Sequence, residues 1–311
     1  LANMKKRDVA VVGEIYIDHI FTGFATWPKP GEEVFTREYM REIGGGAANT
    51  ACALGRLGRS VSLFGVIGAT DAGWFESRLR DFGVSMDDLD QTQGNTGVTV
   101  SVSMLDDRSF FSYHGENERV MSMLWSETVL RSLEEARHVH FAMPLDRELA
   151  AHLLPALRNA GCTTSLDVGF RPEWLRSEEN FETCRAIDYL LPNEREASVL
   201  SGSDATDYLS FAKKRGLKQA VVKLGSRGAI MLAGGIQYEV SSPSVEVVDT
   251  TGAGDAFDAG FIDALLDDAP PEDCLRRACL CGSLSTRASG ALSALPLREE
   301  LENIYEHTYA S

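Results

Sequence analysis

The sequence predicts an α/β fold: one core built on a mostly parallel sheet, with a small β appendage. Three observations lead there. Two apolar runs closed by glycine, Asp8–Gly13 and Val61–Gly68, read as strands buried on both faces. Past Val139 the chain alternates short strand-like runs with helical stretches, the rhythm of βαβ units. Two segments of the N-terminal half alternate polar and apolar residues instead, and period-two alternation makes a sheet with one wet face.

In chain order, Asp8–Gly13 is the first strand. Asp18–Phe24 alternates, Trp27–Gly31 turns and Glu33–Arg41 alternates again, a hairpin-like excursion. Gly44–Gly58 is a glycine loop opening a helix of small residues, Val61–Gly68 a second buried strand, and Trp74–Phe82 a helix. Thr96–Leu105 alternates cleanly, turns at Asp106–Arg108 and resumes at Ser109–Tyr113, the clearest hairpin in the chain. Strands follow at His138–Ala142, Thr164–Val168, Tyr189–Leu191, Gln219–Lys223 and Ala229–Leu232. No linker divides the sequence, so residues 1–311 are read as a single unit whose appendage spans about 16–42 and 95–120, with Met4 as the natural start.

Lys plus Arg number 30 and Asp plus Glu 46, a formal net charge of −16. Such a surface repels nucleic-acid phosphates and anionic lipid, so neither partner is expected. No apolar run approaches the ~20 residues of a membrane span. An anion that does bind needs a local positive field from backbone amides, a metal or a few arginines. Cys52, Cys162, Cys184, Cys274, Cys279 and Cys281 are dispersed, with no secretory apolar segment ahead of them. They read as core thiols of a cytoplasmic protein, and Cys274, Cys279 and Cys281 match no common zinc spacing. His138 and His140 alternate on one strand without nearby ligands and read as packed residues.

The stretch richest in chemistry is Val245–Phe261. Val245–Val248 is strand-like, Gly252–Gly254 breaks it, and Phe257, Phe261, Ala264 and Leu265 then recur at helical spacing. A glycine turn thus feeds a helix with Asp255 in its first turn. Free amides and the positive dipole end make such a terminus an anion site. A carboxylate there repels a resting phosphate, yet in phosphoryl transfer it can accept the proton of the attacking hydroxyl. Helix capping by Asp255 fits the local pattern equally well.

Asp249-Thr-Thr-Gly-Ala-Gly-Asp255, followed by Ala256-Phe257 and Gly260-Phe261, resembles the C-terminal signature of the ribokinase/PfkB carbohydrate kinases. Gly44-Gly-Gly-Ala-Ala-Asn49 resembles their N-terminal signature. Leu191-Pro-Asn-Glu-Arg-Glu196 contains their Asn-x-x-Glu, and Val222-Lys-Leu-Gly-Ser-Arg-Gly228 resembles their nucleotide-side strand and turn. The four matches fall in the family's order over nearly the whole chain.

The resemblance implies a ribokinase-like three-layer α/β/α core whose small β-sheet acts as a lid. It implies transfer from ATP, with Mg²⁺, to a hydroxyl of a sugar or sugar-like substrate: fructose, a sugar acid or a related carbohydrate. Asp255 is then the base, and the Gly252, Ala253 and Gly254 amides the anion hole. Asp18, Gly44, Gly45 and Asn49 bind substrate hydroxyls, and Arg171 faces substrate or phosphate. Lys223, Gly225, Ser226, Gly228 and Thr251 lie toward the nucleotide. Asn193 and Glu196 position Mg²⁺ through water, and the carbonyls of Asp249 and Thr251 hold a monovalent cation such as K⁺. Lids of this family often pair between subunits, so a homodimer is expected.

Each assignment has a plainer alternative: a solvated loop acid for Asp18, a helix cap and first-turn acid for Asn193 and Glu196, close packing for Gly44–Asn49, and a structural ion pair for Arg171. Gly169 replaces the Asn of the family's Asp-x-Asn-x-Arg, and two further departures speak against ribose itself: Gly46 stands where many ribokinases carry Lys, and Ala142 falls near a position that often holds a substrate-binding Glu. Val9–Ile15 lacks the Gly-x-Gly-x-x-Gly of a nicotinamide enzyme, and the Gly-Lys-Ser/Thr of a P-loop is absent. A nucleoside kinase of the same family and a non-catalytic sugar- or nucleotide-binding regulator stay as rivals.

Overall fold

The computed structural model describes residues 5–104 and 108–309. The start expected at Met4 and the hairpin turn around Asp106 lie outside them. The strands in chain order are β1 (Arg7–Gly13), β2 (Tyr16–Phe24), β3 (Glu38–Gly44), β4 (Val61–Gly68), β5 (Val84–Ser85), β6 (Leu89–Thr92) and β7 (Gly97–Met104). Then come β8 (Arg108–Tyr113), β9 (Ala136–Ala142), β10 (Thr163–Leu166), β11 (Tyr189–Leu190), β12 (Ala220–Lys223), β13 (Ala229–Ala233) and β14 (Ile236–Val240).

The helices are α1 (Gly46–Arg56), α2 (Ala72–Asp81), α3 (Val120–Met123), α4 (Glu127–Leu133), α5 (Arg147–Asn159) and α6 (Pro172–Arg176). The series continues with α7 (Glu178–Ala186), α8 (Glu194–Ser201), α9 (Tyr208–Arg215), α10 (Ala253–Leu266), α11 (Pro271–Ser285) and α12 (Arg298–Tyr309).

The larger sheet runs β14-β13-β12-β11-β10-β9-β1-β4-β5, with β6 also paired to β4. Its pairs are parallel except β12–β13 and β13–β14. β1 shows why the strands read as continuous apolar runs. Val9 and Val11 pack on one side with Ala47 and Ala51 of α1 and Ala256 and Ala259 of α10. Ala10 and Val12 pack on the other with Leu153 of α5 and Phe181 of α7. Both faces are covered, so no position can be polar without a partner. His138 meets that demand at both ring nitrogens through Thr163 and Ser165, whereas His140 bonds Ser165 through Nδ1 alone and leaves Nε2 buried without a partner; burial holds both rings neutral, with pKa values lowered to about 3 and about 4. All six cysteines are buried and free.

The smaller sheet runs β3-β2-β7-β8; β2 and β7 pair in parallel, the outer pairs antiparallel. Its register sets Thr99 and Ser101 on one face with Asp18 and Ile20, and Val98, Val100 and Val102 on the other with Ile17 and Phe21. Alternation predicted one wet face. The structure turns the Asp18 face toward the core, where Asp18 faces the carboxylate of Asp255, and leaves aromatic residues outside. Phe111 and Tyr113 are more than half exposed, and Trp27 stacks on Phe111 at 6.1 Å.

One expected strand is corrected. Val245–Val248 is irregular, and Val247 and Val248 are exposed. No strand of the described sheets lies alongside to pair with it. The amides of Val248 and Asp249 donate instead to the Thr286 carbonyl, at 2.8 and 3.0 Å. That anchors the segment to the end of α11 as the wall of a cavity.

Candidate active site

Two helix N-termini meet at the C-terminal edge of the parallel strands. α1 begins after Gly45, whose φ is +91°, and a Cβ there would overlap the Glu14 carbonyl. α10 begins after Gly252, with φ +73° and Ala291 so close that a Cβ would stand 2.5 Å from its methyl. Both turns therefore demand glycine. Small residues along α1 and α10 let the two helices approach closely, which brings Asn49 to Asp255. The Asn49 Nδ2 donates to Asp255 Oδ2 at 2.8 Å, and Thr50 Oγ1 donates to the Asp255 carbonyl at 3.4 Å.

Asp255 has a pKa raised to about 7, chiefly by burial. Asp167 adds to the rise, while the Asn49 hydrogen bond and Lys223 oppose it. Asp18 is raised to about 7 as well, by burial and then by the charges of Asp255 and Glu42. Gly44 stands beside Asp18 because any Cβ at 44 would overlap its carboxylate. So Asp18, Gly44, Gly45 and Asn49 gather around Asp255, although the cavity below is lined by other residues.

That cavity, of about 470 Å³, is walled by Asp255, Gly252, Arg171, Asn193 and Glu196, with Gly46 and Ala142 beside the Asp255 carboxylate. A Cβ on Gly46 would lie 3.3 Å from Asp255 Oδ1 and 3.6 Å from the Ala142 methyl, so the two small residues open space next to the acid. Arg171 reaches Glu14 at 3.1 Å, the ion pair named as the plainer alternative, and both line the cavity. A second cavity of about 390 Å³ is lined by Ser226, Gly228, Val245, Val247, Ala253 and Phe257, among others. The two share Lys223, Gly225 and Gly254 in their walls. Gly228 needs its glycine, since a Cβ would run into the Val240 carbonyl. Arg227 pairs with Glu194 at the surface.

At the α10 turn the Ala253 amide closes on the Thr250 carbonyl at 3.2 Å, so the other terminal amides there belong to Gly252, Gly254 and Asp255. Asp249 shapes the turn before it. Its Oδ1 accepts from the Thr251 amide at 2.8 Å and hydroxyl at 2.7 Å, and its Oδ2 from the Gly290 amide at 2.9 Å. Gly290 in turn lies against the smaller sheet, where a Cβ would stand 2.6 Å from Met40 Cε. Thr251 and Asp249 thus stand behind the turn and outside both cavity walls.

Asn193 and Glu196 form a full capping box on α8, and Asn193 Nδ2 also donates to Glu196 Oε1 at 2.6 Å. Glu196 is buried, which raises its pKa to about 7. The cap and the cavity wall are therefore one arrangement. No cluster of three acidic, His or Cys ligands occurs among the described residues. The donor set does fit a hydrated Mg²⁺ held through water and substrate oxygens.

Lys223 is buried, and its ammonium sits between Asp167 Oδ2 at 2.6 Å and both carboxylate oxygens of Asp258 at 3.0 Å. Sequence reasoning placed neither aspartate in the site. The signal was present: Asp258 interrupts an apolar helix one turn after Asp255. The apolar wall of the second cavity had no such signal, because Val245, Val247 and Phe257 read as ordinary packing.

Residues 6–298 match the family described as pfkB family carbohydrate kinase. A ribokinase from Haemophilus influenzae is 27% identical over 97% of this chain and 99% of its own length. A 2-dehydro-3-deoxygluconokinase from Bacillus subtilis is 26% identical, covering 85% and 86%. The solved Arabidopsis thaliana ribokinase, complexed with ribose and ATP, superposes with a TM-score of 0.84 at 28% identity, over 96% of this chain and 99% of that one. Four motifs in order, two cavities meeting at an acidic helix N-terminus, and a match along nearly the whole length agree: the chain belongs to the pfkB family of carbohydrate kinases.

Proposed function

We propose that this enzyme transfers the γ-phosphoryl group of ATP to a hydroxyl of a sugar or sugar-like acceptor, with Asp255 as the general base. The observation that carries the reading is Asp255 itself, a carboxylate in the wall of the first cavity at the helix terminus where that cavity adjoins the apolar second one. Asp255 takes the proton from the acceptor hydroxyl as its oxygen bonds phosphorus and ADP leaves. The Asn49 amide fixes which carboxylate oxygen does so, and the Gly252 and Gly254 amides hold the transferring group, the Ala253 amide being closed on the Thr250 carbonyl. Asp18, Gly44 and Gly45 order the acceptor side, while Gly225, Ser226 and Gly228 border the nucleotide. Mg²⁺, when bound through water beside Asn193 and Glu196, supplies charge neutralisation at the phosphates. A monovalent cation at the Asp249 and Thr251 carbonyls would stiffen the turn. The unit is one domain whose smaller sheet covers the acceptor.

Arg171 at the acceptor cavity favours an acceptor bearing a carboxylate, and the open floor at Gly46 and Ala142 argues against ribose. The test is a coupled ADP-release screen with Mg-ATP against sugars, sugar acids and nucleosides, in K⁺ and in tetramethylammonium salts. One acceptor should turn over, and Asp255→Asn should lose at least ~10²-fold in rate. Ligand binding without any turnover would favour a regulator instead, and turnover of nucleosides alone a nucleoside kinase.

A further inference from the structure

Lys223 is the one nucleotide-side candidate whose charged end is already occupied. Its ammonium is caged by Asp167 and Asp258, yet its side chain borders both cavities. A Cβ placed on Gly254 would stand 3.7 Å from that ammonium, so the charge lies directly under the anion-hole turn. The three partners come from three separate elements: the end of β12, the loop after β10, and α10 one turn beyond Asp255. Asp167 Oδ1 also accepts the Gly169 amide at 2.8 Å, in the loop that carries Arg171. The Lys223 amide donates to the Pro192 carbonyl at 3.0 Å, and Asn193 bridges to Lys223 as a short parallel contact. One lysine thus ties together the end of β12, the loop after β10, the start of α8 and α10.

We propose that Lys223, Asp167 and Asp258 form a buried ion-pair clamp that positions Asp255 and the Gly252–Gly254 turn between the two cavities and sets the electrostatic field in which Asp255 works. The assignment rests on the kinase reading above, and makes Lys223 a positioning residue. Burial opposes the lysine charge, but Asp167, Asp258 and Glu196 outweigh it and hold the ammonium protonated. Burial also drives the Asp258 carboxyl well upward, while Lys223 helps hold Asp167 down. Asp167 and Asp258 thus both hold the ammonium directly. The groups that face Asp255 are Asn49 from α1, Asp18 from β2, Asp167 from the loop after β10 and Lys223 from β12. Of these, Lys223 favours ionised Asp255 and Asp167 disfavours it.

Two changes that break the same ion pair should then act in opposite directions. Lys223→Met should move the acidic limb of the kcat/KM profile up by about one pH unit, and Asp167→Asn should move it down by a similar amount. Lys223→Arg keeps the charge and should restore the wild-type limb. The same midpoints are read without turnover from the ¹³C carboxyl resonance of Asp255 in the substrate-free protein, assigned by its loss in Asp255→Asn. Shifts of the same sign, or none in folded variants, overturn the clamp. Should Lys223→Met not fold, an Asp167→Asn midpoint that stays or rises does so alone. Opposite carboxyl shifts in a protein that phosphorylates nothing would keep the clamp and sink the kinase reading.

Discussion

Asp18, Asp255 and Glu196 are carboxyls whose burial holds them at about 7, far above the ~4 of an unfolded chain. Between those values the folded state binds more protons than the unfolded one, so it loses stability as pH rises from ~4 through ~7. For activity the proposed role reverses the sign, because a general base at Asp255 would have to be ionised to accept a proton. Asp18→Asn combined with Asp255→Asn should therefore melt higher than wild type at pH 8, with the gap narrowing as the pH is lowered toward 5. Thermal unfolding across that range checks it, and a gap independent of pH would refute the linkage. At this scale the sequence was legible wherever a residue sat in a spaced motif, as Asp255, Asn49 and Asn193 do. Asp258 and Glu14 escaped, since their meaning comes from partners distant in sequence.

The element that decides the site is the turn into α10. Gly252→Ala would need an L residue at φ +73° and push its methyl into Ala291. A displacement on the order of 1 Å at the reacting geometry costs about 10²-fold. We expect kcat to fall by about that factor, with melting temperature changed far less, in parallel rate and unfolding measurements. A variant with unchanged kcat would show the turn tolerates movement. Element types were mostly legible from periodicity, with β1, β4 and α2 where the pattern put them. Val245–Val248 was not, because valines that wall a ligand cavity carry the same local signature as valines in a strand. The capping box at Asn193 shows the converse: the cap read from sequence and the cavity-facing pair are the same atoms.

Across the whole molecule, the aromatic outer face of the smaller sheet is the feature that a lone subunit leaves wet. Trp27, Phe111 and Tyr113 there are each about half exposed, an apolar surface suited to a second copy of the same sheet. Phe111→Glu should convert a dimer to a monomer in sedimentation velocity, and a monomeric wild type would end that expectation. The layered core was legible from strand–helix alternation, and the appendage from its period of two. Which way the appendage faces was not, because alternation fixes two faces without saying which one looks inward. Its inward side ends against Gly290, and the neighbouring Ala291 ends against Gly252. Those two residues act as a shim between the cover and the reacting turn. Their thickness, one bare backbone and one methyl, sets the clearance left before a sheet that covers the acceptor, as proposed, would press on the turn at Gly252.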